Sequence, residues 1–136
     1  MSPTLEVHPR AAVWKTRTGA ALSAVAVLFL LFDSTGKLLK VAPVVAGTVQ
    51  LGYPEDVVRT LGVILALCVV TYLIPRSSFL GAILLTGYLG GAVATHVRVG
   101  SPVLTHVLFP VYVAVFLWGG LLLRDARLGR LFERRV

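Results

Sequence analysis

The stretch FLGAILLTGYLGGAVATHVR, residues 79–98, decides the fold because it is long, apolar and ends in ionisable groups. At 1.5 Å per residue, its roughly 20 residues cover the roughly 30 Å of a bilayer core, which predicts a transmembrane helix. Gly87 and Gly91 stand four residues apart, and Thr95 follows one turn later. This strip of small residues predicts close packing against a neighbouring helix.

A second side of the same helix becomes polar toward its end. Tyr88, Ala92 and His96 recur at the same four-residue spacing, and this side finishes beside Arg98. Residues at that spacing share one face of a helix. We therefore expect polar side chains to gather at the C-terminal end of this span.

The composition of the whole chain indicates an integral membrane protein. Hydrophobic residues make up 57% of the 136 residues and the mean hydropathy is +0.86, whereas soluble domains hold about 45–50% apolar residues. The net charge of +7 comes from Lys and Arg at the ends of apolar runs. We therefore expect these residues to meet the membrane surface, and expect no nucleic-acid partner. The single cysteine, Cys68, excludes an intrachain disulfide and a CxxC redox pair.

Four apolar runs separated by breakers predict four membrane spans. Their approximate ranges are 19–41, 57–74, 79–98 and 103–123. Pro75 ends the second span, Pro110 is expected to kink the fourth, and the Pro and Gly residues of 42–56 predict a loop. Tight turns favour an all-α fold, an integral membrane antiparallel four-helix bundle. Residues 1–18 are predicted as a polar N-terminal tail, and residues 124–136 as a basic tail with a short helix at the membrane surface.

Positive charges set the expected orientation in the membrane. Nine Lys and Arg residues fall on the side of the two tails, namely Arg10, Lys15, Arg17, Arg76, Arg124, Arg127, Arg130, Arg134 and Arg135. The other four are Lys37, Lys40, Arg59 and Arg98. Membrane proteins keep their more positive segments in the cytoplasm. We therefore predict a multi-pass protein of the bacterial cytoplasmic (inner) membrane, with both termini in the cytoplasm.

Ionisable side chains on the spans reach similar depths on the predicted outer side. Asp33 and Lys37 stand one turn apart with the acid first, the order that favours an intrahelical ion pair. Counted from the cytoplasmic starts, Asp33, Lys37 and His96 lie roughly 21, 27 and 25 Å along their spans. Charges in hydrocarbon are costly and normally face the bundle interior. We expect an inward pocket lined by Asp33, Lys37, His96, Arg98 and His106.

The same residues also allow purely structural interpretations. Lys37 and Arg98 can extend their charged ends to the outer headgroups. A histidine at a helix end can be a satisfied packing residue. His96 and His106 lie on different spans with no HxxxH or Cys/His spacing, so we predict no metal site.

Two segments resemble a known family. They are IPRSSFLGAILLTGYLGGAVATHVRVGSP, residues 74–102, and FLWGGLLLRDARL, residues 116–128. Over nearly its whole length the chain resembles the DoxX-like family of small four-span bacterial membrane proteins. Members are described as companions of oxidoreductase systems, including a quinone-linked thiosulfate-oxidising complex. The resemblance implies a quinone as a candidate cofactor and an oxidoreductase as a candidate partner.

Three functions stay open at this point. The first is a protein, or a subunit of an oxidoreductase system, that binds a lipophilic small molecule of quinone or isoprenoid type. Its ligand-binding residues would be Lys37, Tyr88, Arg98 and His106. The second is an acid–base enzyme for a lipophilic substrate, an isomerase, cyclase or epoxide-opening enzyme, with Asp33 and His96 as the catalytic pair. The third is a structural or assembly protein, and a second copy of the chain is a further candidate partner.

Overall fold

A computed structural model describes residues 9–133 of the chain. In chain order the elements are α1 (Pro9–Leu38), α2 (Ala42–Gln50), α3 (Val57–Leu73), α4 (Ser78–Arg98), a π-helical turn (Val103–Val107), α5 (Phe109–Arg124) and α6 (Ala126–Glu133). Within residues 9–133 there is no β-strand. Residues 1–8 of the predicted tail, together with Arg134 and Arg135, lie outside this range.

Helices α1, α3, α4 and α5 form a closed four-helix bundle. α1 packs against α3 and α5, and α4 packs against the same two helices, so α1 and α4 are diagonal to each other. Neighbouring helices run antiparallel. Ser23 in the first half of α1 meets Tyr72 at the end of α3, and Phe29 further along α1 meets Phe109 at the start of α5. The predicted fold, an all-α integral membrane antiparallel four-helix bundle, is confirmed.

The helices have the lengths and surfaces expected in a bilayer. Within the described residues, three segments are long and apolar enough to cross a membrane, namely Arg10–Leu38, Ser78–Arg98 and Val103–Arg124. α3 is also apolar, and its 17 residues extend about 26 Å at 1.5 Å per residue. Large apolar side chains such as Phe32 and Leu104, 77% and 72% exposed, point away from the core. Helices that are apolar on all sides are typical of membrane spans.

One buried tyrosine ties three helices together at the end of the bundle where α1 begins and α5 ends, which we call the terminal end. The hydroxyl of Tyr72 on α3 donates to the carbonyl of Leu117 on α5 at 2.8 Å. The same hydroxyl lies 2.8 Å from Ser23 Oγ on α1. All three residues are buried. Because every polar atom of this contact has a partner, burying it carries little desolvation penalty.

The predicted packing of the Gly87 and Gly91 strip against another helix is wrong. A Cβ atom built on either glycine would meet no heavy atom within 4 Å. The close helix contacts occur at other glycines, and a Cβ on Gly120 would overlap Ser23, while one on Gly81 would overlap the Tyr72 backbone. Small-residue spacing shows only that a neighbour could approach closely. Here the space beside Gly87 and Gly91 belongs to a cavity.

Three observed boundaries differ from the expected ones. α1 begins at Pro9, so residues 9–18 continue the first helix rather than forming a tail. Residues 42–50, expected as part of a loop, form α2 with Pro43 in its first turn. Proline has no backbone N–H, but in the first turn of a helix that N–H would have no partner within the helix. Pro110 likewise lies in the first turn of α5, so the fourth span is interrupted by the π-helical turn before it rather than kinked at the proline.

Candidate functional site

A cavity of about 790 Å³ lies at the end of the bundle opposite the terminal end. We call it the main cavity. All four bundle helices and α2 contribute to its wall. The wall is mostly apolar, and the deeper apolar residues are Phe29, Leu30, Leu89, Phe109 and Val113.

Asp33 and Lys37 form an ion pair on the last two turns of α1, where both line the main cavity. Lys37 Nζ donates to both carboxylate oxygens of Asp33. The Lys37 side chain is 12% exposed and that of Asp33 is 29% exposed. A Cβ atom on Gly62 would lie 2.8 Å from Lys37 Cβ, so the glycine allows this part of α1 to pack on α3. Asp33 and Lys37, four residues apart with the acid first, thus form the intrahelical ion pair that this spacing favours.

His96 and His106 meet in the wall of the main cavity. Their ring centroids are 5.7 Å apart in an edge-to-face arrangement. His96 Nδ1 lies 3.0 Å from Ser101 Oγ, and His106 Nδ1 lies 2.8 Å from Thr105 Oγ1. These contacts fix one nitrogen of each ring, which leaves Nε2 as the atom for a ligand.

The π-helical turn brings His106 to this position. Leu108 N–H donates to the carbonyl of Val103 at 2.9 Å, and Val107 N–H to that of Pro102 at 3.3 Å. Such i→i+5 bonds widen a turn by one residue, and π-helical turns are frequent at functional sites. The widened turn sets the direction of His106 relative to the end of α4.

Helix α2 and the segment after it cover one side of the main cavity. Tyr53 Oη lies 2.9 Å from Thr95 Oγ1 of α4. Arg98 Nη2 donates to the carbonyl of Leu51 at 2.7 Å. Gly52 beside it has φ of +89°, and a Cβ there would lie 2.9 Å from Arg98 Nη2. The backbone conformation therefore favours glycine at this turn, and a larger residue would also displace the end of the Arg98 side chain.

A model of the DoxX-like family matches residues 21–120 of the chain. The match covers most of the chain and includes every residue that lines the main cavity. The chain belongs to the DoxX-like family. Comparisons with curated proteins and with solved structures give no match.

This DoxX-like chain brings five of the six predicted site residues together. Asp33, Lys37, Tyr88, His96 and His106 all line the main cavity. Arg98 does not line it, because its guanidinium is directed to the carbonyl of Leu51. The ligand-binding and catalytic roles of these residues stay predictions. Within residues 9–133 no group of three or more His, Cys, Asp or Glu is placed to hold a metal ion.

Sequence reasoning missed the contribution of α2 and its flanking segment to the DoxX-like chain's cavity. Thr48, Gln50 and Tyr53 line the wall, but their segment was expected to be a loop. The available signal was the Ala-Pro pair at 42–43, which suits the first turn of a helix. The contact of Tyr53 with Thr95 depends on tertiary packing that no local pattern encodes.

Proposed function

We propose that this DoxX-like protein binds a lipophilic small molecule of quinone or isoprenoid type in the main cavity. The observation that carries the proposal is the combination, in one cavity, of a polar end and an apolar interior.

The size of the main cavity suits a small-molecule ligand. Its volume of about 790 Å³ falls within the range of roughly 300–1,000 Å³ typical of ligand sites. Gly87 and Gly91 keep part of this space open, since a Cβ on either would touch no other heavy atom. Larger side chains at these two positions would reduce the volume.

The wall of the main cavity changes from polar to apolar with depth in the bundle. Asp33 and Lys37 lie on the last turns of α1, and His96 lies in the last turn of α4. Phe29 and Leu30 lie one turn deeper on α1 than Asp33. This gradient suits a molecule with a polar head group and an aliphatic tail, because each part then meets surroundings of its own polarity.

Several donors are suited to hold the oxygen atoms of a head group. The ammonium of Lys37 has three N–H donors, of which two are used by Asp33. His96 and His106 each offer Nε2, as donor or acceptor according to the tautomer. A bound quinone would supply reversible electron and proton transfer, and these residues would bind and orient its carbonyl oxygens.

Binding is favoured over acid–base catalysis by the state of Asp33. Both of its carboxylate oxygens accept hydrogen bonds from Lys37. As a general acid or base, Asp33 would carry a proton at one stage of the reaction, and its ion pair with Lys37 would then be lost. Holding a head group needs no such rearrangement, since the pair presents an ordered polar surface to the cavity.

The proposed location is the bacterial cytoplasmic membrane, which the chain crosses several times, with both termini in the cytoplasm. Among the residues that the structure describes, seven Lys and Arg residues lie at the terminal end, namely Arg10, Lys15, Arg17, Arg76, Arg124, Arg127 and Arg130. Because positive segments stay in the cytoplasm, the main cavity would lie toward the outer surface. An oxidoreductase partner remains an expectation from the family resemblance.

The proposal is tested by ligand-induced stabilisation of the detergent-purified protein. Decylubiquinone and farnesol serve as quinone and isoprenoid probes, and the Tm is measured at increasing concentrations of each. At about 100 times the Kd, one-site binding stabilises the folded protein by about 2.7 kcal/mol. We expect one probe to raise the Tm of the wild type but to raise that of His96→Ala much less.

Tyr112→Ala is the control, because Tyr112 is an exposed ring outside the main cavity. It should respond to the probes like the wild type. Equal stabilisation of wild type and His96→Ala by both probes, or no stabilisation by either, would contradict the proposed function.

A further inference from the structure

A second, smaller pocket lies at the terminal end of the bundle. It has a volume of about 400 Å³ and is formed by the turn between α3 and α4, the end of α5 and the start of α6. Three arginines line it, namely Arg124, Arg127 and Arg130, and we call it the arginine pocket. It shares no residue with the main cavity.

The charge of the arginine pocket is strongly positive. Among the described residues, Asp125 is the one acidic residue in its wall. Its Oδ1 accepts the backbone N–H of Arg127 at 2.9 Å and so caps the start of α6. Arg130 Nε donates to the carbonyl of Ala126 at 3.2 Å, and its terminal nitrogens make no hydrogen bond to the described part of the chain. Within residues 9–133, the pocket therefore has three guanidinium groups and one carboxylate, which leaves it with a net positive charge.

Arg124 is held in place by packing rather than by hydrogen bonds. Its Cζ lies 5.2 Å from the centroid of the Tyr72 ring, a cation–π contact. Its Nε is buried and, within the described part of the chain, has no hydrogen-bond partner. Buried donors are usually satisfied, and each exception calls for an explanation. An anion in the pocket would bring a strong acceptor to this guanidinium.

Helix α6 sets the depth of the arginine pocket in the membrane. Leu128 packs against the bundle core, while Leu131 is 64% exposed. Arg127 and Arg130 are exposed and lie within the same short helix. A short helix with apolar and basic faces lies in the interface between headgroups and acyl chains. The arginine pocket is thus at the level of lipid phosphates.

We propose that the arginine pocket is a binding site for the phosphate group of an anionic lipid on the cytoplasmic side. Guanidinium groups match phosphate oxygens in paired, charge-assisted hydrogen bonds. Basic pockets between membrane helices on this side commonly hold anionic head groups. The inference is independent of any ligand in the main cavity.

Native mass spectrometry of the detergent-purified protein provides the test. The apparent Kd of the first bound lipid is measured with dioleoylphosphatidylglycerol, and dioleoylphosphatidylcholine is the zwitterionic reference. We expect the anionic lipid to bind the wild type at least about tenfold more tightly than the reference. The double variant Arg127→Gln with Arg130→Gln should lose most of this preference.

The matched control is Lys15→Gln with Arg17→Gln, which removes equal charge from exposed positions at the same end outside the pocket. It should keep the preference. Arg127→Lys with Arg130→Lys preserves charge and should bind more weakly than the wild type if paired guanidinium contacts matter. An equal loss in the glutamine double variant and the control would overturn the site. Saturable binding of inorganic phosphate alone, as tight as the lipid, would overturn the assignment to a lipid.

Discussion

At the scale of single residues, the Asp33 and Lys37 pair is the best-defined polar feature of the main cavity. Lys37 is only 12% exposed, so a charge left there without its partner is poorly solvated. Asp33→Asn should therefore lower the free energy of unfolding by about 1–3 kcal/mol. This loss is smaller than the loss expected for a fully buried ion pair, because the Asp33 side chain is 29% exposed. Thermal unfolding in detergent measures this change.

The double variant Asp33→Asn with Lys37→Met should recover most of the lost stability, since no unpaired charge remains. If it also fails to respond to a probe that stabilises the wild type, the pair takes part in ligand binding. A double variant less stable than Asp33→Asn alone would contradict the expectation that the unpaired charge of Lys37 causes the loss of stability.

The ion pair could be derived from the sequence, whereas the role of Arg98 could not. The spacing and order of Asp33 and Lys37 determine a contact within one helix. Arg98 instead donates to the carbonyl of Leu51, a residue 47 positions earlier in the chain. Its position on α4 suggested a site residue. Its partner depends on how α2 folds back over the bundle.

At the scale of helices, α1 and α5 approach most closely at glycines near the terminal end, whereas Phe29 and Phe109 pack against each other at the opposite end. A Cβ atom on Gly120 would overlap Ser23 of α1, whereas one on Gly119 would lie 3.8 Å from Leu22 Cδ1, an ordinary contact. Gly120→Ala should destabilise the bundle by about 1–3 kcal/mol through overpacking.

Gly119→Ala is the matched control because it adds the same methyl group to the same helix. It should leave the Tm nearly unchanged or raise it slightly, since alanine favours helices over glycine. Equal Tm values for the two variants in detergent would show that α1 and α5 are not in this close contact.

Helix spans were predictable from apolar runs, but the packing of individual helix faces was not. The ranges expected for α3 and α4 differ from the observed helices by a residue at one end. Gly87 and Gly91 were assigned to a packed face because their spacing permits close approach. The spacing does not specify which glycines are used, and the fold uses Gly19, Gly62, Gly81 and Gly120 instead.

At the scale of the whole molecule, the orientation in the membrane can be tested with single cysteines in a Cys68→Ala background. Ala46, on α2, and Arg76 and Arg130, at the terminal end, are exposed positions. In intact cells an impermeant thiol reagent should label Ala46→Cys, and should label the other two only after the cells are opened. The physical reason is the excess of positive charge at the terminal end.

Labelling of Arg130→Cys but not of Ala46→Cys in intact cells would show that the orientation is opposite to the proposed one. The main cavity would then face the cytoplasm and the arginine pocket the outer leaflet. The Cys68→Ala replacement removes the natural cysteine as a source of background labelling. Because Cys68 is buried, the replacement leaves a small cavity.

Family and fold class followed from the sequence because they depend on features spread along the whole chain. Membership of the DoxX-like family, expected from residues 74–102 and 116–128, is confirmed by the match over residues 21–120. The main cavity depends instead on α1 and α4 being diagonal, with α2 covering the space between them. Such an arrangement arises from tertiary packing, so the sequence predicted the polar residues without predicting the space around them.

The central claim, that the main cavity holds a lipophilic molecule, is tested most directly by filling it. Gly91→Leu places a side chain in the cavity, and Gly90→Leu places the same side chain in open space outside it. Mass spectrometry then measures the apolar small molecules that co-purify with each variant from its native membrane. We expect a molecule retained by the wild type and by Gly90→Leu to be lost from Gly91→Leu, with all three proteins equally stable. Equal retention by Gly91→Leu and Gly90→Leu would contradict the claim.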